Sequence, residues 1–166
     1  MFGLQIKYLS FFFGLISILS FFNLIYSYYL NLYLNLDTYY FSLVISLIIS
    51  ILFYNIKTKD KKPSIFEKIL TVFFGYILIP FVLSIPFYFS IYNLTFLNSF
   101  FEAISGFTST GFTIFENIKH IDQSLILWRS TTQWIGGLYF LFSKKMTELC
   151  LLLKKNQYHL LKIFLD

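Results

Sequence analysis

The stretch Thr95–Thr113 reads T-F-L-N-S-F-F-E-A-I-S-G-F-T-S-T-G-F-T and is the most informative part of the sequence. Up to Ser105 it repeats apolar side chains at helical spacing. A helix of that length is too short to cross a bilayer, which takes roughly 20 residues. Gly106, a run of hydroxyl residues and Gly111 then end the helical pattern. Because non-helical backbone survives at membrane depth only inside protein or beside a watery cavity, the stretch predicts a re-entrant loop.

The chain on either side of this stretch has the composition of a membrane protein. Apolar residues make up 57% of the 166 residues and charged residues only 13%, about half of the share in soluble domains. Residues 8–36, 38–56 and 69–101 carry no charge, and each run is long enough to cross a bilayer as a helix. The sequence therefore predicts a multi-pass, all-α integral membrane protein, because backbone in lipid must satisfy its own hydrogen bonds.

The remaining charges predict the topology. We expect four transmembrane spans, at residues 9–30, 39–56, 66–89 and 124–142. A lysine lies near the N-terminus, at Lys7, and lysines cluster at residues 57–62 and after residue 143, which places these parts in the cytoplasm by the positive-inside rule. Residues 116–122 are then external, so the re-entrant loop enters and leaves on the outer side. The N-terminal run lacks a small-residue cleavage site, and we interpret it as a retained transmembrane helix.

The same pattern divides the chain into three parts. Residues 1–63 are two N-terminal transmembrane helices with a cytoplasmic loop, and residues 64–143 are one unit of helix, half-helix, loop and helix. Residues 144–166 are a basic cytoplasmic tail, which could lie as an amphipathic helix at the inner surface. Cys150 is the only cysteine, which excludes an intrachain disulfide.

The hydroxyl run after the half-helix has the chemistry of a cation filter. A dehydrated cation needs several oxygen ligands, and backbone carbonyls aimed at a pore axis supply them. Gly111 allows the backbone angles that turn successive carbonyls one way, and the C-terminal end of the half-helix adds partial negative charge. The candidate ligands are Thr108, Ser109, Thr110 and Gly111. The alternative is an ordinary membrane loop, in which Ser/Thr-Gly runs are also common.

Two charges lie within segments at membrane depth, where an unpaired charge is costly. We expect Glu102 of the half-helix to pair with Arg129 of the following helix. Alternatively, Arg129 lies near the outer end of its helix and extends its guanidinium to the water. In the same helix, Gly136 and Gly137 predict a close approach between helices, as small residues allow in membranes.

Several classes of function are disfavoured. The lysines flank apolar runs and form no basic stripe on a polar surface, which argues against nucleic-acid binding. His120 and His159 are far from any co-ligand pattern, so we expect no metal centre and no cofactor. No nucleophile–base pair, phosphate loop or pair of carboxylates points to an enzyme.

Two motifs carry a family resemblance: F-F-E-A-I-S-G-F-T-S-T-G-F-T at Phe100–Thr113, and L-W-R-S-T-T-Q-W-I-G-G at Leu127–Gly137. They are similar to the first pore loop and the next helix of TrkH-type potassium-uptake proteins, in the Trk/Ktr/HKT superfamily. The resemblance implies K⁺ as the transported ion and four non-identical pore units around one filter. Gly111 would then be the filter glycine of the first unit, with Ser109 and Thr110 as the leading K⁺ ligands. It also implies a homodimer and a cytoplasmic nucleotide-binding regulatory subunit as partners.

The sequence departs from this family after Gly137, where a lysine pair and the tail follow without a second pore loop. We therefore expect a truncated or frameshifted fragment that is inactive alone. One alternative is a small accessory or vestigial membrane protein that conducts nothing. A secondary carrier with a broken helix at its substrate site is a further alternative.

Overall fold

The computed structural model describes residues 6–56, 64–116 and 121–165, and the side chains as far as residue 145. All regular structure in these ranges is helical, which confirms the all-α prediction. The helices are α1 (Ile6–Tyr29), α2 (Leu36–Asn55), α3 (Ile65–Leu83), α4 (Ile85–Tyr88), α5 (Phe96–Phe107) and α6 (Gln123–Leu165), with a 3₁₀ turn at Tyr33–Asn35.

Three helical stretches of the described residues are long and apolar enough to cross a membrane: Ile6–Tyr29, Tyr33–Asn55 and Ile65–Tyr88. They coincide with the first three predicted spans, which are confirmed as membrane-spanning in length and composition. The fourth predicted span falls in α6, which is longer but less apolar because it carries Arg129, Thr132 and Gln133. Its crossing of the bilayer stays a prediction.

The third span is not one uninterrupted helix. Pro80 lies inside α3 and is buried there, so the helix tolerates this proline. A turn at Ser84 then separates α3 from the four-residue α4, in which Pro86 occupies the first turn. We expected a kink at these prolines, and the structure shows a one-residue irregularity at Ser84. The helical hydrogen bonds continue around it, because the Ser84 N–H donates to the Pro80 carbonyl at 2.9 Å and the Tyr88 N–H to the Ser84 carbonyl at 3.0 Å. The cause is local, because Pro86 has no N–H to continue the hydrogen-bond ladder.

The end of α6 also differs from the prediction. The expected span stops at residue 142 and a tail follows, whereas α6 runs for 43 residues to Leu165. At the usual rise per residue this is about 65 Å, roughly twice the hydrocarbon thickness of a bilayer. No glycine or proline occurs after Gly137 to end the helix. The tail is therefore the continuation of α6 and not a separate surface helix.

α1 and α2 form an antiparallel hairpin joined through hydroxyl groups. Near the N-terminal end of α1, Ser10 and Ser50 each donate their Oγ to the other's carbonyl, both at 2.9 Å. Further along, Ser20 Oγ and Ser42 Oγ lie 3.1 Å apart. Hydroxyl pairs of this kind hold helices together where lipid provides no hydrophobic drive for helix association.

The core lies where α1, α3, α5 and α6 meet and is rich in aromatic side chains. Tyr139 of α6 is fully buried, and its ring centroid is 4.8 Å from Phe12, 5.1 Å from Tyr76 and 5.5 Å from Phe107. Its hydroxyl donates to the Val72 carbonyl at 3.0 Å. A single side chain thus connects the three helices that surround the end of α5.

A polar cluster joins the other end of the bundle. The buried Asn35 donates its Nδ2 to Asp122 Oδ2 at 2.8 Å and accepts at Oδ1 from the Ile91 N–H at 3.1 Å. The Tyr92 hydroxyl accepts from the Asp122 N–H at 2.8 Å. The turn before α2, the segment before α5 and the start of α6 therefore meet at one end. The chain between Tyr92 and Asp122 enters the bundle and returns to the same end, as a re-entrant segment does.

Some predicted features lie outside the described residues. These are the lysine loop at residues 57–63 and the charged residues Lys119 and His120. His159 and the tail leucines lie in the part of α6 whose side chains are not described.

Candidate functional site: the loop that follows the half-helix

α5 is the half-helix that the sequence predicts, and hydroxyl residues cap both of its ends. Thr95 Oγ1 accepts from the Asn98 N–H at 3.4 Å at the N-terminus. At the C-terminus the Thr108 N–H donates to the Ile104 carbonyl at 2.8 Å. The helix has 12 residues, about 18 Å, which is too short to span the hydrocarbon core.

The chain turns sharply after α5 through two left-handed residues. Ser109 has a φ of 57° and Gly111 a φ of 80°. The Thr110 N–H between them donates to the Ser105 carbonyl at 3.1 Å, which folds the loop back onto the last turn of α5. Thr108–Gly111, the segment that the sequence predicts to be a filter and that is called the filter strand below for that prediction, thus starts where the carbonyl end of the half-helix points.

Ser105 fixes the filter strand from the helix side. Its Oγ donates to the Phe112 carbonyl at 2.6 Å. Thr110 Oγ1 in turn donates to the Ser105 carbonyl at 3.2 Å. The hydroxyls of Ser105 and Thr110 therefore hold the backbone of the strand and are not presented to an ion. Sequence reasoning missed this role of Ser105, although a hydroxyl in the last turn of a capped helix is a recognisable signal.

Glu102 holds the chain beyond the filter strand. Its carboxylate is fully buried, and Oε1 accepts from Thr113 Oγ1 and from the Ile114 N–H, both at 2.6 Å. Such short charge-assisted bonds are about twice as strong as neutral ones. A carboxylate in the middle of α5 therefore anchors residues that follow the filter. The sequence did not indicate Thr113 as its partner.

Arg129 of α6 reaches the same place from the other side. Its Nη2 donates to the carbonyls of Gly111 and Phe112, at 3.0 and 3.1 Å. Its Nε lies 3.5 Å from Glu102 Oε2, and its side chain is 14% exposed. The distance is that of an ion pair, but neither Nε nor Oε2 makes a hydrogen bond to the described residues. Glu102 and Arg129 thus lie together behind the Gly111 end of the filter strand.

These contacts leave one face of the filter strand uncovered. Thr108, Ser109, Thr110 and Gly111 are all exposed, whereas α5 immediately before them is buried on one side. A Cβ placed on Gly111 would meet nothing within 4 Å. Gly111 is therefore required by its backbone angle and not by lack of space. In this chain the strand forms a single wall.

A cavity of about 370 Å³ lies below the filter strand. Thr108 and Ser109 form one side of it, and Gly136 and Gly137 of α6 form another. The remaining lining is aromatic: Tyr76, Phe107 and Phe140. A Cβ on Gly137 would meet nothing within 4 Å, so the helix leaves open space at this position.

Close packing of α6 on α5 sets the position of the whole site. A Cβ on Gly136 would overlap the Phe107 carbonyl, and one on Gly106 would overlap Thr132 Oγ1. The predicted close approach is therefore found at Gly136. It is not found at Gly137, where a Cβ would meet nothing within 4 Å. The carbonyl of the last α5 residue touches α6 directly, so the start of the filter strand is rigidly placed.

Comparison with known proteins finds cation and potassium transporters that align with this chain over part of their length. The chain is 30% identical over 126 residues to an uncharacterised cation transporter of Methanocaldococcus jannaschii, which covers 75% of this chain and 26% of that protein. It is 38% identical over 60 residues to the Trk system potassium uptake protein TrkI of Halomonas elongata, which covers 36% of the chain and 11% of that protein. The resemblance to Trk potassium-uptake proteins is confirmed.

The relatives are longer than the alignments with this chain. The Trk system potassium uptake protein TrkG of Escherichia coli is 39% identical over 46 residues, which are 28% of this chain and 10% of TrkG. The alignments therefore cover about a quarter, or less, of the length of each of these relatives. No protein-family model and no solved structure matches it. At the level of the family, these transporter relatives support a cation-transport protein in a membrane and point away from an enzyme.

Proposed function

We propose that this chain supplies the first pore unit of a Trk-type potassium channel, in which Thr108–Gly111 form one wall of the ion filter. The observation that carries the proposal is the exposed filter strand at the C-terminal end of a buried half-helix. A loop that only connected two spans would not need a buried carboxylate and a guanidinium behind it. Here Glu102 and Arg129 hold the strand so that its other face is free.

The proposed ligands are backbone carbonyls, not hydroxyls. Ser109 and Thr110 remain the leading candidates, with Thr108 next, because the Gly111 carbonyl already accepts a hydrogen bond from Arg129. The Thr108 and Thr110 hydroxyls donate to the backbone of α5, which keeps them from competing for the ion. K⁺ sheds its water when enough such oxygens surround it, and one strand supplies only part of that set.

The partners follow from the same proposal. Three further walls must close the filter, and further copies or units of Trk type would supply them. A homodimer and a cytoplasmic nucleotide-binding subunit are proposed by resemblance to the family. The proposed location is a bacterial inner membrane, with the N-terminus in the cytoplasm.

A chimeric transporter tests the function directly. Residues 64–143 replace the first pore unit of Escherichia coli TrkG, and the chimera is expressed in a strain that cannot otherwise grow on low K⁺. We expect growth and K⁺ uptake, and we expect both to survive Phe73→Leu, a change on the exposed side of α3. A chimera that reaches the membrane, folds and still fails to transport K⁺ would contradict the proposal.

A further inference from the structure

Three polar atoms in the C-terminal part of α1 are buried, with no hydrogen-bond partner among the described residues. Asn23 is 1% exposed and Ser27 is 0% exposed. Among the described residues, nothing forms a hydrogen bond with Asn23 Nδ2, Asn23 Oδ1 or Ser27 Oγ. The two side chains are four residues apart, so they lie on the same face of the helix. Buried polar atoms in proteins are nearly always satisfied, so this pair requires an explanation.

The surroundings of the pair are polar but uncharged. α1 and α2 share a polar seam, defined here by the buried residues Ser10, Ser17, Ser20, Asn23, Ser27, Thr38, Ser42 and Ser46. Ser20 and Ser42 satisfy each other directly, and Thr38 donates to the Asn35 carbonyl at 2.7 Å. Asn23 and Ser27 continue the seam beyond Ser20, level with the first turns of α2. They are the members whose side chains are left open.

The chemistry of the open atoms defines the ligand. The carboxamide of Asn23 offers donors at Nδ2 and an acceptor at Oδ1, and the Ser27 hydroxyl can donate and accept. The ligand must therefore be small and neutral, and it must donate and accept at once. A cation fits poorly because Nδ2 would point hydrogens at it. Water meets all these requirements and binds in protein interiors where two to four polar groups converge.

We infer that Asn23 and Ser27 form an internal water site in the α1–α2 seam. The bound water accepts from Asn23 Nδ2 and donates to Asn23 Oδ1 of the same carboxamide or to Ser27 Oγ. It satisfies atoms that lipid cannot satisfy. The site is separate from the filter strand, so its test does not depend on ion transport.

Nuclear magnetic resonance on the full chain in detergent, labelled with ¹⁵N at asparagine only, tests the site. We expect a cross-relaxation peak between the Asn23 side-chain amide protons and water. Asn35 is the matched control, because it is equally buried but has protein partners at both Nδ2 and Oδ1. It should give no such peak. Asn23→Gln removes the Asn23 signal and so assigns it. Ser27→Ala should keep the peak, and this result excludes magnetisation that reaches the amide through the exchanging Ser27 hydroxyl proton.

The stability of Asn23→Leu gives a second measurement with opposite outcomes. Leucine is close to asparagine in volume and cannot bind water. If the site holds water, Asn23→Leu expels it, leaves Ser27 unsatisfied and lowers the thermal midpoint. If the amide is simply unsatisfied, an apolar replacement raises the midpoint. A raised midpoint, or an Asn23 amide that resembles Asn35 in the relaxation experiment, would overturn the inference.

Discussion

At the residue scale, Ser109 and Gly111 hold the two left-handed positions of the filter strand, and only Gly111 lacks a Cβ. A non-glycine residue with such a φ costs roughly 1–2 kcal/mol. We expect Gly111→Ser, in the chimeric transporter described above, to lower K⁺ over Na⁺ selectivity by about ten-fold. The reason is backbone strain, which turns the carbonyls away, since a Cβ there has open space around it. Reversal potentials or competitive uptake measure the ratio.

Ser109→Gly is the matched control for that change. It removes a Cβ from the other left-handed position, so it should relieve strain and leave the selectivity ratio within about two-fold. If Gly111→Ser leaves the ratio unchanged as well, the strand is not the filter. If Ser109→Gly is the more damaging change, the serine hydroxyl has a role that its backbone position does not explain.

Glu102 allows a prediction about the stability of the site. Removing one partner of a buried ion pair typically costs 3–5 kcal/mol, and Glu102 is fully buried with Arg129 14% exposed. We expect Glu102→Ala to lower the stability of the chain by about 3 kcal/mol, because Arg129 loses its opposite charge and the Thr113 hydroxyl and the Ile114 N–H lose their acceptor.

A double-mutant cycle separates the ion pair from the other contacts of Glu102. Glu102→Gln and Arg129→Gln are combined, and unfolding is followed by circular dichroism in detergent. We expect the double variant to lose less free energy of unfolding than the two single variants lose together, because the two side chains interact directly. Additive losses would show that Glu102 acts through Thr113 and Ile114 alone.

At the element scale, two adjacent glycines of α6 give opposite predictions. Gly136→Ala forces a Cβ into the Phe107 carbonyl and should cost about 1–3 kcal/mol. Gly137→Ala meets open space in a helix and should gain about 0.5–1 kcal/mol. Thermal midpoints of the two variants in one detergent should therefore move in opposite directions. A shift in the same direction would mean that α5 and α6 do not approach closely in solution.

The elements also show what sequence patterns can and cannot predict. The half-helix and the first three spans follow from apolar periodicity and charge-free length, which are local properties. The irregularity at Ser84 agrees with the expected kink, since Pro86 removes one N–H from the ladder while the neighbouring helical hydrogen bonds continue. The lysine pair after residue 142 predicts where the fourth span leaves the membrane but not where the helix ends, and α6 continues to Leu165 because nothing in the local sequence interrupts it.

Long-range pairs were the hardest part of the site to predict. The pairing of Asn35 with Asp122, and of Glu102 with Thr113, depends on how helices pack, and no spacing along the chain encodes it. The sequence places Asp122 in a segment outside the membrane but does not indicate its contacts, and the structure shows it half-buried and holding three segments together. The Glu102–Arg129 pair was accessible to sequence reasoning because a charge at membrane depth demands a partner.

At the scale of the whole molecule, the polar cluster of Asn35, Ile91 and Asp122 predicts one topology. These residues meet at one end of the bundle, so they must face the same side of the membrane. A reporter fused after Lys62 should be cytoplasmic, and reporters inserted after Asn31 and within residues 116–121 should both be external. The reporters are enzymes that are active on only one side of the membrane, so their activity shows on which side each fusion site lies. A reporter after Asn31 on the opposite side from one in 116–121 would contradict the re-entrant path.

The single wall of the filter predicts what the 166-residue chain does by itself. Thr108–Gly111 face away from the rest of the chain, so a lone copy offers a cation only a fraction of the oxygens that its water shell provides. Unpaired carbonyls at membrane depth also cost several kcal/mol each, which opposes a filter open to lipid. We therefore expect no rescue when this chain alone is expressed in a bacterium that lacks potassium uptake and grows on low K⁺. Immunoblotting of membranes confirms expression, and the chimera with TrkG, expressed at the same level, is the positive control. Growth with the chain alone would show that several copies can close a pore and that one unit carries enough of the filter to select its ion.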